Sequence, residues 1–169
     1  MSHLSHVAVI ANQEGLDAQG LLASAVAAWG ESGLKVVGVL AEGDPGDAAC
    51  SAGFLRDLAS GRKFSIQLDS PPSDARCHLY VGGLENAGAN LLAQIPAADV
   101  VVLSKFGKSE VAHRGLWPAF QAAVAAGKPL LTTVSSRHDA AWDVFAPDAA
   151  RLVGDQASIM QWWRAVTGA

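Results

Sequence analysis

"HVAVIANQEGLDAQGLLASAVAAWGESGLKVVGVLA", residues 6–41, decides the fold. It opens on a short apolar run with β-branched residues, 6–12, which reads as a buried strand. Residues 17–32 follow with Leu21, Leu22, Ala25, Val26 and Trp29 at helical spacing. Asp17 is placed to cap that helix and Gly33 to end it. Residues 35–41 form a second apolar run. Strand, helix and strand in so short a span predict a βαβ unit, whose strands must be parallel.

The alternation continues beyond it. Helices are predicted over 84–95, 115–126, 139–145 and 155–166, and strands over 99–105, 129–134 and 151–153. The middle breaks the pattern. Residues 42–53 and 69–75 are rich in turn formers and read as loops. Between them, 54–68 reads as a β-hairpin turning near Ser60-Gly61. The expected architecture is a single α/β domain over 1–169. It has three layers: a mostly parallel sheet with helices on both faces, plus an inserted β-hairpin.

Composition bounds the function. The chain has 169 residues, enough for one sizeable core, and half of them are hydrophobic. A net charge of −4 argues against a nucleic-acid binder. Cys50 and Cys77 have neither CxxC spacing nor a disulfide-rich setting, which fits reduced thiols in a cytoplasmic protein. Residues 1–4 lack the basic and apolar regions of a signal peptide, and no apolar run nears the ~18 residues of a membrane span. The expected location is the cytoplasm, without membrane insertion. Cys77 and His78, adjacent on an extended segment, point to opposite faces, so no metal site is assigned.

Two stretches bear on chemistry. The first βα turn is "ANQEGLDAQGLL", residues 11–22. A P-loop needs G-x-x-x-x-G-K-[ST], with Lys for phosphate and a hydroxyl for magnesium. This turn has Gly15 and Gly20 but neither Lys nor the Gly-Lys-Ser/Thr sequence, so its Walker A motif is degenerate. A G-x-G-x-x-G fingerprint is also absent.

The second stretch is "VVLSKFGKSEVAHRGL", residues 101–116. Ligands of an open parallel sheet bind beyond the carboxyl ends of its strands. Lys105, Gly107, Lys108, Glu110, His113 and Arg114 all follow such an end. Arg137, in Ser135-Ser136-Arg137, follows the next one. Lys105, Lys108, Arg114 and Arg137 are candidate anion contacts, with Gly107 permitting the turn. Lys105 and Arg114 are expected to meet across the loop with Glu110 or an anion between them. A solvated turn with surface Lys–Glu pairs is the plain alternative.

"ADVVVLSKFGKSEVAHRGLWPAFQAAVAAGKPLLTTV", residues 98–134, resembles an uncharacterised bacterial family of nucleoside-triphosphatase-like proteins, often encoded near molybdate-transport genes. Its Asn-Lys-Phe-Gly-Lys-x-Glu motif, then Gly-Arg-Gly and Pro-x-Leu-Thr-x-Val, are matched by Lys105, Phe106, Gly107, Lys108, Glu110, Arg114, Gly115, Pro129, Leu131, Thr132 and Val134. Ser104 replaces the usual Asn, and His113 the usual Gly. "LRDLASGRKFSIQLD" and Cys77-His78-Leu79 are similar to further family segments, with Tyr80 in place of Asp.

The resemblance implies a P-loop NTPase-like fold and a link to molybdate metabolism. It implies a catalytic role for Glu110 in orienting water or metal, although Ser104 and Lys105 stand in the Walker B carboxylate region. Three functions are carried forward. The first is an anion-binding or regulatory protein whose ligand is a small anion or a nucleotide. The second is a divergent nucleoside triphosphatase. The third is an adaptor with a protein partner. No cofactor is assigned.

Overall fold

The computed structural model describes residues 5–42, 53–66 and 81–168. Its elements in chain order are β1 (Val7–Asn12), α1 (Ala18–Glu31), β2 (Val36–Glu42), β3 (Phe54–Asp57), β4 (Lys63–Ser65), α2 (Val81–Leu92), β5 (Val100–Leu103), α3 (Lys108–Val111), α4 (Trp117–Ala125), β6 (Leu130–Ser135), α5 (Asp139–Phe145), β7 (Ala150–Leu152) and α6 (Gln156–Thr167). Glu42 of the expected 42–53 loop ends β2, and the rest of that loop up to residue 52, the expected loop at 69–75, Cys50, Cys77, His78, Tyr80 and the end of the expected hairpin lie outside the described residues.

One sheet runs in the order β4-β3-β2-β5-β6-β1-β7. The five strands β2, β5, β6, β1 and β7 are mutually parallel. The β3–β4 hairpin adds antiparallel strands beyond β2. The fold is the predicted α/β sandwich with its inserted hairpin. Central strands covered on both faces need apolar residues at every position, which explains the unbroken Val-Val-Val-Leu of β5, buried throughout. Gly38 sits where β2 meets β5, at φ 147°, and a Cβ there would lie 1.8 Å from the Val102 carbonyl oxygen. Only glycine allows that approach.

Each face has its own core. Leu22, Ala25 and Trp29 of α1 join Ile159 and Trp162 of α6 over Ala8, Ile10, Val100, Val102 and Leu131. On the other face, α2, α4 and α5 cover Val7, Val9, Val101, Leu103, Leu130 and Val134. That second core centres on Phe106, whose ring packs edge-on against Phe120 and Trp142 and stacks on Phe145. Each fully buried ring of this kind contributes about 1.5–3 kcal/mol through removal from water. The tryptophans of α5 and α6 are therefore core residues: Trp142 and Trp162 are buried, and Trp163 packs on Trp29.

The helix α3 was not anticipated. Four residues are too few to show a 3.6-residue period, and the turn is fixed by one buried side chain described below.

Candidate functional site

The connection from β1 leads to α1 on one face, and that from β6 leads to α5 on the other. Because β1 and β6 are neighbours, the chain diverges between them. In an open parallel sheet this divergence opens a crevice at the carboxyl ends of the strands.

The first βα turn borders the crevice. Gly15 takes a positive φ of 82°, and α1 starts at Ala18. The Asp17 side chain accepts the Gly20 N–H at 2.9 Å, so the chain's own carboxylate sits on the N-terminus of α1. That is the place where the helix dipole would otherwise favour an external anion. A Cβ on Gly20 would lie 2.2 Å from Asp17 Oδ2, so a larger residue there requires the exposed carboxylate to rotate.

The next residue inward, Gln19, ties three elements together. Its Nε2 donates to the Ser104 carbonyl at the end of β5, 2.9 Å away. Its Oε1 accepts the Ala41 N–H of β2 at 3.2 Å. The Ser104 carbonyl also accepts the Thr133 hydroxyl at 2.8 Å. Nothing in the sequence marked Gln19, because a polar residue in a first helical turn is ordinary.

The charged loop after β5 is organised by Glu110. Only 4% exposed, it accepts the Gly107 N–H at 2.9 Å and the Leu116 N–H at 2.8 Å, one on each oxygen. These bonds close the loop over α3 and start α4. Burial pushes the Glu110 carboxyl above its ordinary range, against the pull of the Leu116 and Gly107 N–H groups and of the Lys105 charge.

Arg114 does not meet Lys105 across Glu110, as the sequence suggested. It turns away to Glu85 of α2, at 2.7 Å, in an exposed pair. Glu110 is buried, whereas Arg114 and Glu85 pair at the surface. His113 takes φ 61°, the only non-glycine positive φ among the described residues, and stacks on Trp117 with centroids 4.2 Å apart.

Lys105 remains at the crevice. Phe106 bridges to Val134 and its N–H donates to the Thr133 carbonyl, so Lys105 lies against the end of β6. The turn Ser136–His138 follows β6 directly and carries Arg137 and His138. His138 is held below its ordinary range by burial, then by the charges of Lys105 and Arg137. Three basic residues therefore follow two adjacent strand ends of an acidic protein. Among the described residues, Lys105, Lys108 and Arg137 have no ion-pair partner. Lys108 is exposed at the start of α3, and the Gly107 N–H is engaged by Glu110.

Fold and crevice together define an α/β domain of the P-loop NTPase-like class. The chain belongs to a family described as "Protein of unknown function (DUF2478)", whose model matches residues 7–163. It is 30% identical over 163 residues to "Molybdenum import ATP-binding protein ModC 2" of Bradyrhizobium diazoefficiens, covering 95% of this chain and 18% of that one. It is 32% identical over 88 residues to "Nucleoside-triphosphatase THEP1" of Methanosarcina acetivorans, covering 50% of each. The chain thus spans half or less of the length of these relatives. No solved structure matches it. Among the described residues, no helix is long and apolar enough to cross a membrane.

Proposed function

We propose that this protein is an anion-binding or regulatory protein on a P-loop-like scaffold whose Walker A turn is degenerate. Its ligand is a small oxyanion held at the carboxyl ends of β5 and β6 by Lys105 and Arg137. The observation that carries this reading is that Lys105 and Arg137 follow the ends of two adjacent parallel strands, without an ion-pair partner among the described residues. Like charges brought together favour a bound anion between them. Lys108 stands at the rim, and Arg114 is left to fasten the loop to α2.

A P-loop NTPase-like fold implies a magnesium nucleotide at the first βα turn, but the residues there do not fit one. Asp17 puts a carboxylate where phosphate oxygens would bind, and like charges repel. Ala18 and Gln19 open α1 where a P-loop sets Lys and Ser/Thr. Ser104 offers no carboxylate to a metal, and its carbonyl is already bonded by Gln19. Glu110 has both oxygens on backbone N–H groups, so its role is to close the loop rather than to orient water.

The molybdenum-import name of one relative suggests molybdate as a member of the ligand class. A thermal-shift screen of phosphate, sulfate, molybdate, tungstate and nucleotides tests the assignment. Stabilisation by an oxyanion that disappears in a Lys105→Ala, Arg137→Ala double variant supports it. Identical profiles for both proteins refute it.

An adaptor role is favoured by a separate observation. The ModC 2 relative carries the matching region as 18% of a much longer chain, so the domain works there beside other segments. Comigration with a molybdenum-import ATP-binding protein on gel filtration tests that role, and separate elution counts against it.

A further inference from the structure

We propose that His138 is a third contact of the Lys105–Arg137 corner and that it makes binding there proton-linked, selecting tetrahedral oxyanions carrying two negative charges. This inference rests on the anion-binding function proposed above.

Lys105 leaves the end of β5, and Arg137 and His138 lie in the turn that leaves the end of β6, the adjacent parallel strand. The bridge between Phe106 and Val134 sets the two ends level. Three basic residues of different reach thus follow two adjacent strand ends. A compact tetrahedral ion can accept from all three at once. An extended polyphosphate would have to run on toward α1, where Asp17 presents a negative charge.

The charges around His138 define its response. Lys105 and Arg137 act on the imidazole, and both disfavour its protonation, as does burial. The acidic groups of α5 do not offset them. Arg151 holds Asp139 at 3.1 Å and Asp143 at 2.8 Å. Protonation of the imidazole is therefore disfavoured when the corner is empty. A dianion seated between Lys105 and Arg137 reverses the local field, and the imidazole takes a proton from solvent and donates it to an oxyanion oxygen. A single negative charge would leave the corner net positive and the histidine neutral.

Sulfate is the suitable probe, because its own charge does not change across the range in which histidine titrates. Binding is measured by calorimetry from pH ~6 to ~8 in buffers of different ionisation enthalpy. The expected result is uptake of about one proton per sulfate, with affinity falling by up to about tenfold per pH unit, the limit for one linked proton. His138→Gln is expected to bind weakly and without pH dependence. His138→Arg, permanently charged, is expected to bind tightly at both ends of the range. A merely structural histidine would not produce opposite flat profiles. A flat wild-type profile, or a slope that survives in His138→Gln, overturns the inference while leaving anion binding in place. Absence of sulfate binding to the wild type overturns the proposed function and this inference with it.

Discussion

Asp17 Oδ1 accepts the Gly20 N–H at 2.9 Å, and no side chain larger than hydrogen fits at Gly20 while that carboxylate stays in place. The two residues form a unit: the aspartate closes the N-terminus of α1, and the glycine makes room for it. An internal anion stands where this class of fold offers a phosphate its best site.

Coupling between the pair is measurable. Asp17→Ala removes a helix cap and is expected to cost about 0.5–2 kcal/mol. Gly20→Ala in the wild type gains helix propensity but displaces the carboxylate, so the two effects nearly cancel. In the Asp17→Ala background, the same change is expected to gain about 0.8–1 kcal/mol. Urea denaturation of the four proteins checks this. Additive effects would mean that the carboxylate does not sit on Gly20.

Magnesium-ATP is expected to show no micromolar binding by calorimetry. The first βα turn has no phosphate lysine and carries the Asp17 carboxylate at the α1 N-terminus, and Ser104 offers no metal carboxylate at the end of β5. Micromolar affinity, or magnesium-dependent phosphate release, would restore the nucleoside-triphosphatase reading.

Glu110 links the loop to pH. Its pKa in the folded protein is raised, so it holds its proton to a higher pH folded than unfolded. Its contribution to stability is therefore greatest below about pH 4.5, the unfolded value, and declines as pH rises through the folded pKa. The difference in unfolding free energy between wild type and Glu110→Gln should carry that slope. Glu110→Ala should cost about 1–3 kcal/mol for each of the two buried N–H groups it orphans. A pH-independent difference would show that burial does not raise this carboxyl.

His113 holds a backbone conformation that costs a non-glycine residue about 1–2 kcal/mol. Its stacking on Trp117 returns about 0.5–1.5 kcal/mol. His113→Gly loses both terms and is expected to stay within about 1 kcal/mol of wild type. His113→Ala keeps the strain and loses the stack, and should be the less stable of the two. Thermal denaturation of the pair decides the order.

The sheet was legible because buried parallel strands are continuous apolar runs, as at 7–11 and 100–103, and because α1 carries Leu22, Ala25 and Trp29 on one face. The site was legible only as a location. Lys105 and Arg137 could be assigned to one edge because each follows a strand end. The partner of Arg114 could not be found, because Glu85 lies on a helix far away in sequence and meets it only through packing. The resemblance implied a role for Glu110 in orienting water or metal, and sequence does not reveal that its oxygens accept the Gly107 and Leu116 N–H groups. Gln19 gave no signal, because its partners, Ser104 and Ala41, come from two other strands.

An oxyanion is expected to bind at the ends of β5 and β6 and not at the first βα turn. The direct measurement is the change in backbone amide resonances as sulfate is titrated into the labelled protein. The predicted result is saturable shifts at Lys105, Phe106, Ser136, Arg137 and His138, with residues 13–20 unmoved. Shifts centred on Gly15 to Gln19, with Lys105 and Arg137 silent, would contradict it.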